Sequence, residues 1–130
     1  MILADTSAWV EYDRATGSAV HLRLRELLNA GELAVTEPVV AEVCIGARSD
    51  RRELDLRRLL ARCETLPFDS AADFDGAVRI YRACRRVGVT PRGLLDCMIA
   101  NIALRNDVGV LANDVDLARL AEVVPLRLDS

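Results

Sequence analysis

The sequence contains no lysine: all 17 of its cationic side chains are arginine. Any phosphate contact must therefore be made by a guanidinium, a planar fork of donors and not a compact point charge. Aromatic residues are scarce at 4%, which limits base stacking and favours reading of nucleic-acid shape or backbone over single-strand sequence. There is one histidine, His21, and the four cysteines, Cys44, Cys63, Cys84 and Cys97, form no CxxC pair. That argues against a zinc site or a disulfide framework and leaves the cysteines as small, buried, reduced hydrophobes. No uncharged run approaches the roughly 18–20 apolar residues of a membrane-spanning helix. Asp5 stands where a secretory signal would need a charged start and an apolar stretch, so the expected location is the cytoplasm, with no membrane partner. Repeats, low-complexity stretches and Pro-, Gly- or Ser-rich linkers are also missing, and residues 1–130 read as a single domain.

Hydrophobic residues make up 52% of the chain and charged residues 28%, a globular composition. Short apolar runs alternate with longer helical patterns. The runs MILA, LAVT, TLPF, VGVLA and VVPLRL predict about five strands. Between them, helices are predicted from Ser7 to about Glu11, over 18–29 up to Gly31, over 37–47 behind Thr36 and Pro38, and over 50–62. Further helices are predicted over 71–87 up to Gly88, over 91–105, and over 115–121. Strands separated by helices imply an α/β fold with a mostly parallel sheet covered on both faces.

Four acids are placed where chemistry is done. Asp5 follows the first strand and Asp114 follows VGVLAN, with Asp116 two residues on. In an open parallel sheet, ligands bind beyond the carboxyl ends of the strands, near the point where strand order reverses. Aspartate is also a common helix cap at such turns, so capping alone is an alternative account of Asp5 and Asp114. Glu42 and Asp96 resist that account because helical spacing sets them on apolar faces. Glu42 has Val39, Ile45, Pro38 and Gly46 three and four residues away, and Asp96 is followed by Ile99, Ala100 and Ala103. A desolvated carboxylate needs a cation or strong donors beside it, at a cost of several kcal/mol otherwise. No arginine lies one turn from Glu42, and Asp96 has only Arg92. Acids converging with so few cations leave room for a hard divalent ion, Mg²⁺ or Mn²⁺, held through oxygen and suited to activating water against a phosphodiester. A carboxylate that does not bind the ion is then available as general base.

The blocks MILADTSAWVEY, PVVAEVCIGA with Glu42, LLDCMIANIAL with Asp96, and VLANDVDL with Asp114 and Asp116 together resemble the PIN domain of VapC-type toxins. The resemblance spans nearly the whole chain and implies a three-layer α/β/α sandwich. It places the catalytic acids on Asp5, Glu42, Asp96 and Asp114, with Asp5, Asp96, Asp114 and Asp116 as metal ligands. Ser7 matches the small hydroxyl residue that orients the site. Asn113 stands where many relatives carry threonine, histidine or another polar residue. The implied protein is a Mg²⁺- or Mn²⁺-dependent endoribonuclease acting as a toxin on RNA. It is implied to be a homodimer, held inactive by a cognate VapB-type antitoxin in a heterotetramer or larger complex.

Residues 79–92 carry Arg79, Arg82, Arg85, Arg86 and Arg92 and no acid. Helical spacing sets Arg79, Arg82 and Arg86 on one face, either as an RNA-phosphate stripe or as an ordinary solvated surface. Trp9, Val10 and Tyr12 read either as core or as an apolar groove for the antitoxin. Other aspartate-based α/β classes fit poorly: a receiver domain needs a lysine near its acids, and a haloacid-dehalogenase-type phosphatase needs DxD where this chain has Asp5 and Ser7. A PIN-fold protein that acts only by binding has no reason to keep Glu42 and Asp96 on apolar faces.

Overall fold

Apolar runs become strands only where helices can cover them. In the computed structural model, which describes residues 1–129, β1 (Ile2–Ala4), β2 (Leu33–Val35), β3 (Glu64–Thr65) and β4 (Gly109–Leu111) form a parallel sheet in the order β3-β2-β1-β4. Ile2 lies opposite Leu33 on one side and Gly109 on the other, and Leu3 opposite Ala34 and Val110. Every residue of β2 and β4 is buried, which alternating side chains achieve only when both sheet faces are covered. Both residues of the edge strand β3 are exposed.

The covering helices are α1 (Thr6–Asp13), α2 (Ala19–Ala30), α3 (Glu37–Ile45), α4 (Asp50–Leu60), α5 (Ser70–Arg86), α6 (Leu94–Arg105) and α7 (Val115–Ala121). Their ends follow local chemistry. Ser18, Ser49 and Asp69 accept backbone amides at the starts of α2, α4 and α5, and Gly31, at φ 71°, closes α2 in the left-handed region that a side chain disfavours. The helices associate in two sets, α1 with α2 and α3, which meets α4, and α5 with α6, which meets α7. One core joins them to the sheet, with Leu3, Trp9, Leu24, Leu27, Ile99 and Leu117 fully buried. At the α5/α6 contact a Cβ on Gly76 would lie 2.2 Å from the Asn101 side chain and would force it to move from its hydrogen bonds to Ala72 and Asp73.

The sheet has four strands among the described residues where five are expected. VVPLRL contributes a single bridge, Leu128 to Val110, with hydrogen bonds on either side of it. Proline lacks an amide to donate, so Pro125 interrupts any longer ladder. The strand expected over TLPF is Glu64–Thr65, ahead of Pro67. Three helices are shorter than their patterns: α6 begins at Leu94, because Gly93 is extended at φ −163°, α3 ends at Ile45 and α4 ends at Leu60. The first helix is capped by Asp5, not Ser7, and so begins at Thr6.

The strand order decides where a ligand can bind. The chain moves from β1 through β2 to β3 on one side, then returns to place β4 on the other side of β1. Connections leaving β1 and β4 therefore diverge, opening a crevice at their carboxyl ends. The Asp5 amide donates to the Leu111 carbonyl at 2.9 Å across that gap.

Candidate metal centre

Asp5 and Asp114 are helix caps and also line the crevice, so the two accounts of these residues are compatible. Asp5 Oδ2 accepts the Ser7 amide at 3.0 Å and the Ser7 hydroxyl at 2.6 Å. Ser7 Oγ in turn accepts the Asn113 amide at 2.9 Å. One hydroxyl thus ties the end of β1 to the loop after β4, which is the position Ser7 and Asn113 would need to orient the site. Asp114 caps α7 and accepts the Asp116 amide at 2.7 Å. Asp96 is in the first turn of α6, packed over fully buried Ile99, Ala100 and Ala103. Glu42, on α3, accepts the Thr6 hydroxyl on Oε1 at 2.6 Å.

Asp5, Glu42, Asp96 and Asp114 line one cleft of about 400 Å³, together with Thr6, Ser7 and Arg92. Carboxylate oxygens of Asp96, Asp114 and Asp116 lie within 4.8 Å of one another. Three helix starts, those of α1, α6 and α7, carry these aspartates, so the positive ends of three helix dipoles offset part of the negative charge. The remainder raises two of the carboxyl groups themselves. Burial pushes the Asp96 carboxyl up to about 7, and the charges of Asp114, Asp5 and Asp116 push the same way against Arg92. Asp5 is also raised, mainly by burial, against its hydrogen bonds from Ser7 and with help from Asp114.

The donor set fits a hard divalent cation. It is made of carboxylate oxygens, and no sulfur or imidazole lines the cleft. Three of these carboxylates, each offering an oxygen within 4.8 Å of the others, are near enough together to share one small ion. Asp116 Oδ2 is buried and accepts no hydrogen bond among the described residues. Arg92 Nη2 comes within 2.9 Å of it as an ion pair, without the alignment of a hydrogen bond, from a side chain that is 78% exposed.

The other candidates are placed as follows. Ile45 is 84% exposed, because α3 ends there, so the apolar face expected around Glu42 is buried only on the Val39 side. Trp9 is fully buried and offers no surface to a partner, while Val10 and Tyr12 keep partial exposure. The larger apolar opening beside the acids lies across α2, about 360 Å³ between Val20, Leu111, Ala118 and Leu128. Arg79 stands 3.6 Å from Asp75, whereas Arg82 and Arg86 share a cleft with Arg85 and Tyr81. All four cysteines are free, and His21 accepts the Gly17 amide on Nδ1. Two residues of the site were not singled out from sequence: Thr6, which holds Glu42, and Arg92 as the partner of Asp116. Thr6 adjoins Asp5, and Arg92 ends the acid-free stretch, but neither contact is implied by spacing.

The PIN domain family matches residues 2–123 of the chain. A VapC ribonuclease of Mycobacterium bovis and ribonuclease VapC11 of Mycobacterium tuberculosis are each 42% identical to it over 132 residues, covering 100% of this chain and 98% of the relative. The chain belongs to the VapC-type PIN-domain ribonucleases. Solved structures agree on the PIN fold. VapBC2 of Rickettsia felis, bound to a DNA fragment from the promoter, matches with a TM-score of 0.78 at 19% identity, over 99% of this chain and 98% of that one. DNA-bound VapBC of Salmonella typhimurium matches with a TM-score of 0.76 at 24% identity, over 99% and 98%. Among the described residues of this PIN domain, no helix is long and apolar enough to cross a membrane.

Proposed function

We propose that this chain is the toxin of a VapBC-type pair, an endoribonuclease that hydrolyses RNA phosphodiesters with Mg²⁺ or Mn²⁺ and is restrained by a cognate VapB-type antitoxin. The observation that carries the proposal is the convergence of Asp5, Glu42, Asp96 and Asp114 on one cleft, with carboxylate oxygens of Asp96, Asp114 and Asp116 grouped beside it. Asp96, Asp114 and Asp116 would hold the ion, with Asp5 beside them. When bound, such an ion lowers the pKa of water and stabilises negative charge on the phosphate.

The protein's own groups divide the remaining work. Glu42 has Oε1 committed to Thr6, which leaves Oε2 to orient a water and take its proton as general base. Ser7 fixes Asp5 and, through the Asn113 amide, the loop that carries Asp114. Arg92, at the cleft wall, neutralises Asp116 in the free protein and is long and exposed enough to turn to a substrate phosphate. The toxin reading further implies a cytoplasmic homodimer that joins its antitoxin in a heterotetramer or larger complex. The fold shared with the VapBC proteins of Rickettsia felis and Salmonella typhimurium supports an antitoxin partner.

The test is cleavage of RNA by the purified chain free of antitoxin. Cleavage is expected with Mg²⁺ or Mn²⁺ and should stop in EDTA. Asp96→Asn should lose at least about 100-fold in rate, in the range of a lost acid–base or metal-binding group. Cleavage by Asp96→Asn at the parent's rate would sink the assignment.

A further inference from the structure

The acidic cleft repels the polyanion it is proposed to cut, so affinity for RNA has to come from elsewhere on the surface. Nucleic-acid affinity is dominated by contacts to phosphate. From the geometry around α5, we infer that Tyr81, Arg82, Arg85 and Arg86 form a backbone-binding subsite for the RNA strand that enters the acidic cleft. This rests on the nuclease reading of that cleft.

These four residues line an opening of about 340 Å³. None of the three guanidiniums pairs with a carboxylate among the described residues, in contrast to Arg79 on the same helix, which faces Asp75. The helix dipole gives a reason for Arg85 and Arg86 in the last turn of α5. It gives none for a third arginine converging on the same opening, where like charges repel until an anion arrives. Three donor forks and a phenol suit phosphate oxygens, with the Tyr81 ring packed against the core behind them.

The location decides the ligand. Asn101 and Arg105 of α6 bond to Ala72 and Asp73 at the start of α5, so the two helices run antiparallel. At 1.5 Å per residue, Arg82 and Arg86 lie about 14 and 20 Å along α5 from Asp73, and Asp96 lies about 8 Å along α6 from Asn101 in the same direction. The arginines are thus offset from Asp96 by only ~6–12 Å along the axes, across a helix spacing of about 8–10 Å. They stand away from the buried face of α5, which is made of Asp73, Gly76, Ala77, Ile80 and Cys84, so a strand seated on them passes around the C-terminal end of α5 to reach the acids. Residues 87–93, which join α5 to α6, also carry Arg92 to the wall of the acidic cleft.

The test measures binding of a fluorescein-labelled, mixed-sequence single-stranded RNA to the full chain in EDTA, by anisotropy, across a salt series. Replacing Arg82, Arg85 and Arg86 together by Ala should reduce the slope of log K against log salt by about 2, at ~0.7 per lost phosphate contact. That corresponds to about 100-fold weaker binding at 0.1 M salt, uniformly across sequences. The triple Lys variant, which keeps the charges, should retain the slope. An unchanged slope in the triple Ala variant overturns the inference. So does loss in the Lys variant equal to that in Ala, which would mark a structural effect. Binding of a poly-glutamate peptide to the same arginines as tightly as RNA also overturns it, because the opening would then be a docking face for acidic protein. Failure of the nuclease reading is distinguishable: the parent would bind RNA with its full slope and show no metal-dependent cleavage.

Discussion

If Asp96 must give up its proton to bind an ion, metal affinity has to fall as the pH drops through about 7, the value to which burial and the neighbouring aspartates raise that carboxyl. About nine-tenths of a group with that value is ionised at pH 8 and about one-tenth at pH 6, so affinity for Mn²⁺ should drop about tenfold, worth at most ~1.4 kcal/mol. Water reaching the half-buried carboxyl reduces this. The metal-free protein should behave oppositely. Its folded state holds a proton on Asp96 that the unfolded chain, at the ordinary 3.8, has released. The stability from that proton is complete below the ordinary value and is lost as pH rises through about 7. Thermal melts with saturating Mn²⁺ and with EDTA, at pH 8 and pH 6, separate the two effects. The metal-induced rise in Tm should be roughly 4–7 °C smaller at pH 6 for a domain of this length, and Asp96→Asn should erase the difference. Equal metal-induced rises at both pH values in the parent would refute this account of the site.

Two further predictions separate stability from chemistry. Asp5→Asn keeps an oxygen for the Ser7 amide while removing a buried charge, so in EDTA at pH 8 it should unfold in urea no earlier than the parent, whereas Asp5→Ala should lose about 1 kcal/mol with the cap. A loss of several kcal/mol in the Asn variant would contradict this. Arg105→Met should destabilise by about 3–5 kcal/mol, because it leaves the fully buried Asp73 carboxylate with Asn101 and a backbone amide as partners; urea denaturation at neutral pH reads it, and a change under about 1 kcal/mol would mean that the ion pair is replaceable by packing.

Much of this site is legible in the sequence because it depends on strand ends. A strand with an acid at or just beyond its end, directly after β1 and three residues after β4, locates Asp5 and Asp114 without knowledge of the strand order. The order β3-β2-β1-β4 then makes β1 and β4 neighbours. Capping and lining the cleft looked like alternatives for these residues only because sequence treats each helix alone. In three dimensions an acid at a helix start is stabilised by the dipole and still presents an oxygen to the crevice. Glu42 shows the limit of helical-face reasoning. Its placement in the cleft follows from Thr6, a partner 36 positions away, and not from Ile45, which is exposed. The arginine stripe shows the same limit, since 79, 82 and 86 share a spacing but Asp75 draws Arg79 away and Arg85 takes its place in the cleft. The missing fifth strand was foreshadowed by Pro125, whose effect on a ladder is local.

Asp73 and Asp96 separate what the fold needs from what the chemistry needs. Both are carboxyls withdrawn from water beside the α5/α6 contact. Burial pushes each of them upward, yet the outcome is opposite. Around Asp73, hydrogen bonds from Arg105, the Asp69 amide and Asn101 outweigh burial and hold the carboxyl below its ordinary value. Around Asp96, three more aspartates add to burial, and the one nearby cation, Arg92, is largely in solvent and directed at Asp116. A fold that meets the demands of one buried acid so fully has no structural reason to surround another with like charge. Like charges held together in this way oppose ionisation of Asp96 and Asp5, and local frustration of that kind is expected where binding relieves it. On the proposed function, the ligand that would relieve this arrangement is a small ion of positive charge, bound through oxygen, whose affinity would depend on the protons it displaces.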